Sequence, residues 1–124
     1  MKLVNLTPHA FRLFDSSGGV LIDLAPEGQF ARRGERVRSS PPLSDVDGGS
    51  GPLPVGLVEM DDIVTDLPSP QPGTVYIVSR LTALVIDDRD DVYFPMDEVR
   101  DDGGTIIGCR LLGQMSRRSA GGEG

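Results

Sequence analysis

Tryptophan is absent from this chain, and its 124 residues include one histidine, one cysteine and one lysine. A lone cysteine, Cys109, excludes an internal disulfide and a cysteine-rich zinc site. No apolar run approaches the roughly 18 residues that read as a membrane-spanning helix. The start, MKLVNLT, carries one Lys and no long apolar segment, so it does not read as a signal peptide. A soluble, cytoplasmic protein is the expectation, with no membrane partner. Cations are also in deficit: 12 Lys and Arg stand against 19 Asp and Glu, a net charge of −7. Nucleic-acid affinity draws on Lys and Arg at phosphates, so this balance disfavours a nucleic-acid partner. Aromatics are few, with two Tyr and four Phe, which leaves the core to Val, Leu and Ile.

What is abundant is turn chemistry. Sixteen glycines and ten prolines favour short strands and tight turns over long helices. The length fits one domain. Lys2–Leu6 alternates and predicts a first strand, interrupted at Thr7-Pro8. Residues 10–24 read as a hairpin around Asp15–Gly19. Gln29–Arg33 and Glu35–Ser39 read as short strands around Gly34, and residues 40–52, SPPLSDVDGGSGP, as a loop with freedom to move. Leu53–Met60 is extended and apolar, with Ile63–Leu67 continuing it. Thr74–Val78, TVYIV, predicts a strand buried on both faces. Ser79 reads as an N-cap for a helix over residues 80–86 with Leu81, Leu84 and Val85 on one face, a strand being the alternative. Val92-Tyr93-Phe94 predicts a short strand stopped by Pro95, Asp101–Gly104 a hairpin turn, and Thr105–Leu112 a last strand in which Gly108 marks a bulge or a close approach. The expected fold class is α+β and β-rich: a mainly antiparallel sheet or small barrel with one short helix. Residues 1–113 form the domain, and residues 114–124 a frayed tail.

Several stretches have the residue types of a site. The corner Asn5-Leu6-Thr7-Pro8-His9 holds the only histidine, the side chain with an unperturbed pKa nearest neutrality. It reads either as the rim of a ligand site or as a bend whose polar side chains serve loose backbone groups around Pro8. Arg32–Arg38, RRGERVR, is the only basic run; in a strand Arg36 and Arg38 share a face and can clamp a phosphate or carboxylate, or guard a sheet edge. Ser79-Arg80 reads as an anion-binding turn or a plain cap. Asp87–Asp91, DDRDD, lacks the spacing of a calcium loop and reads as a solvated turn with Arg89 damping the repulsion, so no metal or cofactor is expected. Cys109 in an apolar strand reads as buried and inert.

Four separated blocks, NLTPH, LAPEGQFAR, LPSPQPGTVYIVSRL and RDDVYFPMDEVRDDGGTIIGCRLL, taken in order resemble a family of small uncharacterised proteins of actinobacteria and their phages. The resemblance covers most of residues 3–112 and implies a phage or mobile-element setting. It assigns no catalytic residue.

Three functions follow as expectations. The first is a non-catalytic protein that sequesters a small anionic or nucleotide-like ligand, with Asn5, Thr7, His9, Arg36, Arg38, Ser79, Arg80, Arg89 and Arg100 as its contacts. The second is a protein-interaction module that blocks a host factor, with sheet edges also open to homo-oligomers. The third is a hydrolase built on His9.

Overall fold

A computed structural model describes residues 1–116; residues 117–124, most of the expected frayed tail, lie outside the described residues. Eight strands and one short helix follow in order: β1 (Lys2–Asn5), β2 (Phe11–Phe14), β3 (Val20–Leu24), β4 (Arg32–Leu43), β5 (Leu53–Thr65), β6 (Thr74–Ile77), α1 (Arg80–Ala83), β7 (Val92–Arg100) and β8 (Ile106–Gly113). The described residues are β-rich with one short helix, as the turn chemistry predicts. Six strands form one sheet in the order β1-β6-β7-β8-β2-β3, and β4 and β5 form a separate two-stranded ribbon.

The sheet is mixed. The antiparallel ladders β7·β8 and β2·β3 are joined by parallel pairings of β1 with β6, β6 with β7 and β2 with β8. It is not a closed barrel: no ladder joins the edge strands β1 and β3. Their ends nevertheless meet, because Asn5 Nδ2 donates to the Leu24 carbonyl at 3.2 Å and the Glu27 N–H donates to the Asn5 carbonyl at 3.0 Å.

Period-2 alternation divides the core between two faces of this sheet. Val4, Tyr76, Val78, Val92 and Phe94 point to one face, under Ala83 and Ile86 of the helical segment and Ala31 at the foot of the ribbon. Phe11, Ile77 and Cys109 point to the other, with Leu3, Leu13, Ile22, Leu24 and Tyr93 around them. TVYIV therefore feeds both clusters, as its unbroken apolar run predicts.

Several boundaries differ from expectation. The two short strands expected around Gly34 are one 12-residue strand with a register shift there. The loop expected over residues 40–52 begins only after Leu43, since Ser40 pairs with Val55 and Leu43 with Leu53. Pro41 and Pro42 fit because β4 is an edge strand, where missing N–H groups cost little. Pro95 does not stop β7 but sits opposite Leu112 within the ladder. The helix is four residues long, capped by the Ser79 hydroxyl accepting from the Thr82 N–H at 3.2 Å. Its buried residues are Thr82 and Ala83, followed by Ile86; Leu81 and Leu84 are exposed, because the one turn packs with the opposite face inward. Residues 114–116 stay on the body: Gln114 Nε2 donates to the Asp90 carbonyl at 2.8 Å and Met115 packs on the larger cluster.

Candidate functional site

β1 and β6 are parallel neighbours, with Asn5 opposite Ile77. Their following loops, residues 6–10 and 78–80, thus leave the same end of the sheet side by side. The space outside the carboxyl ends of parallel strands is where open sheets with parallel strands generally place ligands. Here it is a broad cleft of about 1240 Å³, walled by those loops, by the start of β2, and by the hairpin of β7 and β8.

The 6–10 loop is held by one side chain. Asn5 is 1% exposed. Its Oδ1 accepts from the Thr7 N–H at 3.0 Å and lies 2.7 Å from the Thr7 hydroxyl, while its Nδ2 donates to the carbonyls of His9 at 2.8 Å and Leu24 at 3.2 Å. All its hydrogen-bonding capacity is spent on the fold, so Asn5 shapes the corner instead of contacting a ligand. Thr7 is likewise occupied, its hydroxyl shared between Asn5 Oδ1 and the His9 carbonyl. The His9 ring is exposed on the cleft wall and has no hydrogen-bond partner among the described residues.

Five of the nine expected contacts line this cleft: Thr7, His9, Ser79, Arg80 and Arg100, with Asn5 directly behind. They are not equivalent. Arg100 is tied to its own hairpin, donating to the Gly104 carbonyl at 2.8 Å and reaching Glu98 at 3.5 Å. The Ser79 hydroxyl serves as the helix cap and also bonds the Thr82 hydroxyl at 2.9 Å. Arg80 is exposed, has no carboxylate within ion-pair distance among the described residues, and lies 5.6 Å from the centre of the Phe94 ring, a cation–π contact that limits its freedom.

The other three contacts are elsewhere. Arg36 and Arg38 do share a face, but on the ribbon, where they reach Asp61 at 3.6 Å and Glu59 at 3.0 Å. Arg89 grips Asp91 with two hydrogen bonds of 2.9 and 2.7 Å, donates to the Pro68 carbonyl at 2.8 Å and lies over Tyr76. That hydrogen bonding holds the Asp91 carboxyl below the usual range and raises the Arg89 pKa. The expected solvated turn at Asp87–Asp91 thus contains a largely buried clamp, with Arg89 used by the fold. Among the described residues no three His, Cys, Asp or Glu side chains come together as metal ligands.

The cleft also contains groups that residue-by-residue reading does not find. Arg12 lines it from β2, while its guanidinium is held on Asp23 at 2.9 Å across the β2·β3 ladder. Asp97 lines the wall with φ of +59° inside β7, a left-handed backbone that Asp tolerates better than most residues. Its neighbour Glu98 adds a second carboxylate. Cys109 lines the floor, but burial raises its thiol pKa and its Sγ lies 3.6 Å from the Arg12 carbonyl, so it lacks the activation a nucleophile needs. The result is a cleft with Arg12, Arg80, Arg100 and His9 against Asp97 and Glu98, over an apolar lining that includes Pro95, Met96, Ile106 and Ile107.

Comparison with known protein families, with curated proteins and with solved structures found no match. Among the described residues, no helix is long and apolar enough to cross a membrane.

Proposed function

We propose that this chain is a small non-catalytic binding protein that holds a small anionic, nucleotide-like ligand in the cleft between the 6–10 loop, Arg80 and the β7–β8 hairpin. One observation carries the reading: Arg80 faces the cleft without an acidic partner among the described residues, in a chain whose other cleft arginines are already matched. A guanidinium without an acidic partner among the described residues, set near an aromatic ring, offers forked donors to a phosphate or carboxylate. The apolar wall beside it suits the flat, less polar part of the same ligand. The phage or mobile-element setting rests on the sequence resemblance, and sequestration is the role such a setting favours.

Thermal denaturation of the full chain with mono-, di- and cyclic nucleotides at millimolar concentration tests this. A ligand at 100 times its Kd adds about 2.7 kcal/mol of stability. The expected result is a rise in Tm for at least one nucleotide, lost in Arg80→Ala and retained in Arg36→Ala. No rise with any nucleotide, or an equal rise in Arg80→Ala, overturns the reading.

The expected protein-interaction role draws separate support from the ribbon, whose Val37, Leu57 and Val58 are all about half exposed or more.

A further inference from the structure

Outside the cleft, the β4–β5 ribbon is a sheet of its own, with no third strand among the described residues. Among the described residues its foot alone joins the core, through Ala31, Val64 and Leu67. Beyond Gly34, neither face contributes a buried residue. Isolated two-stranded ribbons are marginal in water, and among the described residues each strand here is paired along one side alone.

The two edges differ in sign. β4 carries Arg32, Arg33, Arg36 and Arg38 against one acid, Glu35, whereas β5 carries Glu59, Asp61 and Asp62 and no cation. Like-charged edges repel, which opposes β4 on β4 or β5 on β5 between copies; opposite edges attract. The ion pairs already present within the ribbon do not cancel this. Arg36, Arg38 and Glu59 remain roughly half exposed or more, and exposed pairs of this kind rearrange at small cost. Pro41, Pro42 and Pro54 remove donors near the tip, which confines edge pairing to the stretch nearer the body. Val37 lies opposite Val58 in that stretch, so a neighbour would extend an apolar strip along with the hydrogen-bond ladder.

We propose that the ribbon docks a second copy of this chain head to tail, the basic β4 edge of one copy against the acidic β5 edge of the next. Such a contact is heterologous: it leaves one edge of each sign free and builds a ring or an open chain instead of a closed two-fold dimer.

Sedimentation velocity on the full chain, from micromolar to millimolar and at low and molar salt, gives the first test. The mass is expected to rise with concentration at low salt, past that of two copies, and to return to one copy at high salt. Arg36→Glu with Arg38→Glu should weaken association at least about tenfold. A crosslinking experiment reports direction without charge reversal. With a short bis-maleimide, Arg38→Cys mixed with Glu59→Cys should form mixed dimers, and Arg38→Cys alone should form none. A monomer at every concentration, or efficient crosslinking of Arg38→Cys with itself, overturns the proposal.

Discussion

The Asn5 side-chain oxygen accepts from the backbone N–H of Thr7 at 3.0 Å and stands 2.7 Å from its hydroxyl. With the amide nitrogen of Asn5 holding the His9 and Leu24 carbonyls, one buried side chain makes the bend and joins the ends of β1 and β3. The corner's structural weight thus falls on Asn5, not on its histidine. Asn5→Ala removes every one of these bonds, taking the amide donor from the Leu24 carbonyl and leaving the His9 carbonyl to the Thr7 hydroxyl alone, which should cost about 2–4 kcal/mol. His9 contributes through its backbone, so His9→Ala should stay within about 0.5 kcal/mol of the parent. Urea denaturation of the two variants side by side checks the contrast, and equal losses would show that the bend rests on something else.

Arg89 and Asp91 lead to a pH prediction. Both side chains are largely buried, and the Arg89 hydrogen bonds depress the Asp91 pKa in the fold. A depressed folded pKa means that the unfolded chain takes up a proton first as acid is added. The stabilisation is therefore complete above the ordinary Asp value of about 3.9 and drains away as pH falls through the lower folded value. Arg89→Met should cost about 3 kcal/mol near neutral pH, because Asp91 is left without its partner. It should also flatten the acid limb of a plot of stability against pH. Asp15, depressed by its bonds from Ser17 and Gly19, keeps a residual slope in both proteins. An unchanged acid limb in Arg89→Met would sink the assignment.

Much of the fold is legible in local chemistry, and the cleft is not. TVYIV announces a strand buried on both faces because its side chains admit no polar face, and Tyr76 and Ile77 do enter opposite clusters. Ser79 announces a helix start because its hydroxyl can serve a free N–H, and it does. Alternation places Arg36 and Arg38 on one face correctly, yet says nothing of where that face goes; it lies on a ribbon away from the cleft. Arg12 shows the same limit from the other side. It reaches the cleft because β2 lies beside β8, a pairing of Leu13 with Cys109 across most of the chain, which no local pattern encodes. Leu81 and Leu84 mislead because a one-turn helix has too few residues for periodicity to say which side is covered.

Gly108 was legible as a close approach, and the structure says to what. A Cβ there would lie 2.5 Å from the Phe14 ring and 2.7 Å from the Arg12 carbonyl oxygen. The ring has some freedom to shift, whereas a backbone oxygen inside the β2·β8 contact has little. Gly108→Ala should therefore cost about 1–3 kcal/mol. Gly51, where a Cβ meets open space, is the control and should tolerate Ala within about 0.5 kcal/mol. The two denaturation midpoints, compared at unchanged slope, read the difference directly. A neutral Gly108→Ala would mean that β2 and β8 are not in contact as described.

Cys109 reports on that same contact from beneath the cleft. It is 2% exposed, sits opposite Glu98 in the β7·β8 ladder, and its thiol pKa is raised chiefly by burial. Alkylation needs both the thiolate and access, and here each is withheld for the same physical reason. In the folded protein at neutral pH, iodoacetamide should therefore modify Cys109 only as fast as the sheet opens, while in denaturant the reaction should be rapid and complete. Because Cys109 is the chain's only cysteine, mass spectrometry follows it without ambiguity. If the proposed nucleotide ligand binds in the cleft, it should slow the labelling further, since a ligand held by the folded form lowers the population of open forms that cannot hold it. Fast labelling of the native chain would instead mean an accessible thiol, and would reopen the cleft floor to chemistry that its present burial withholds.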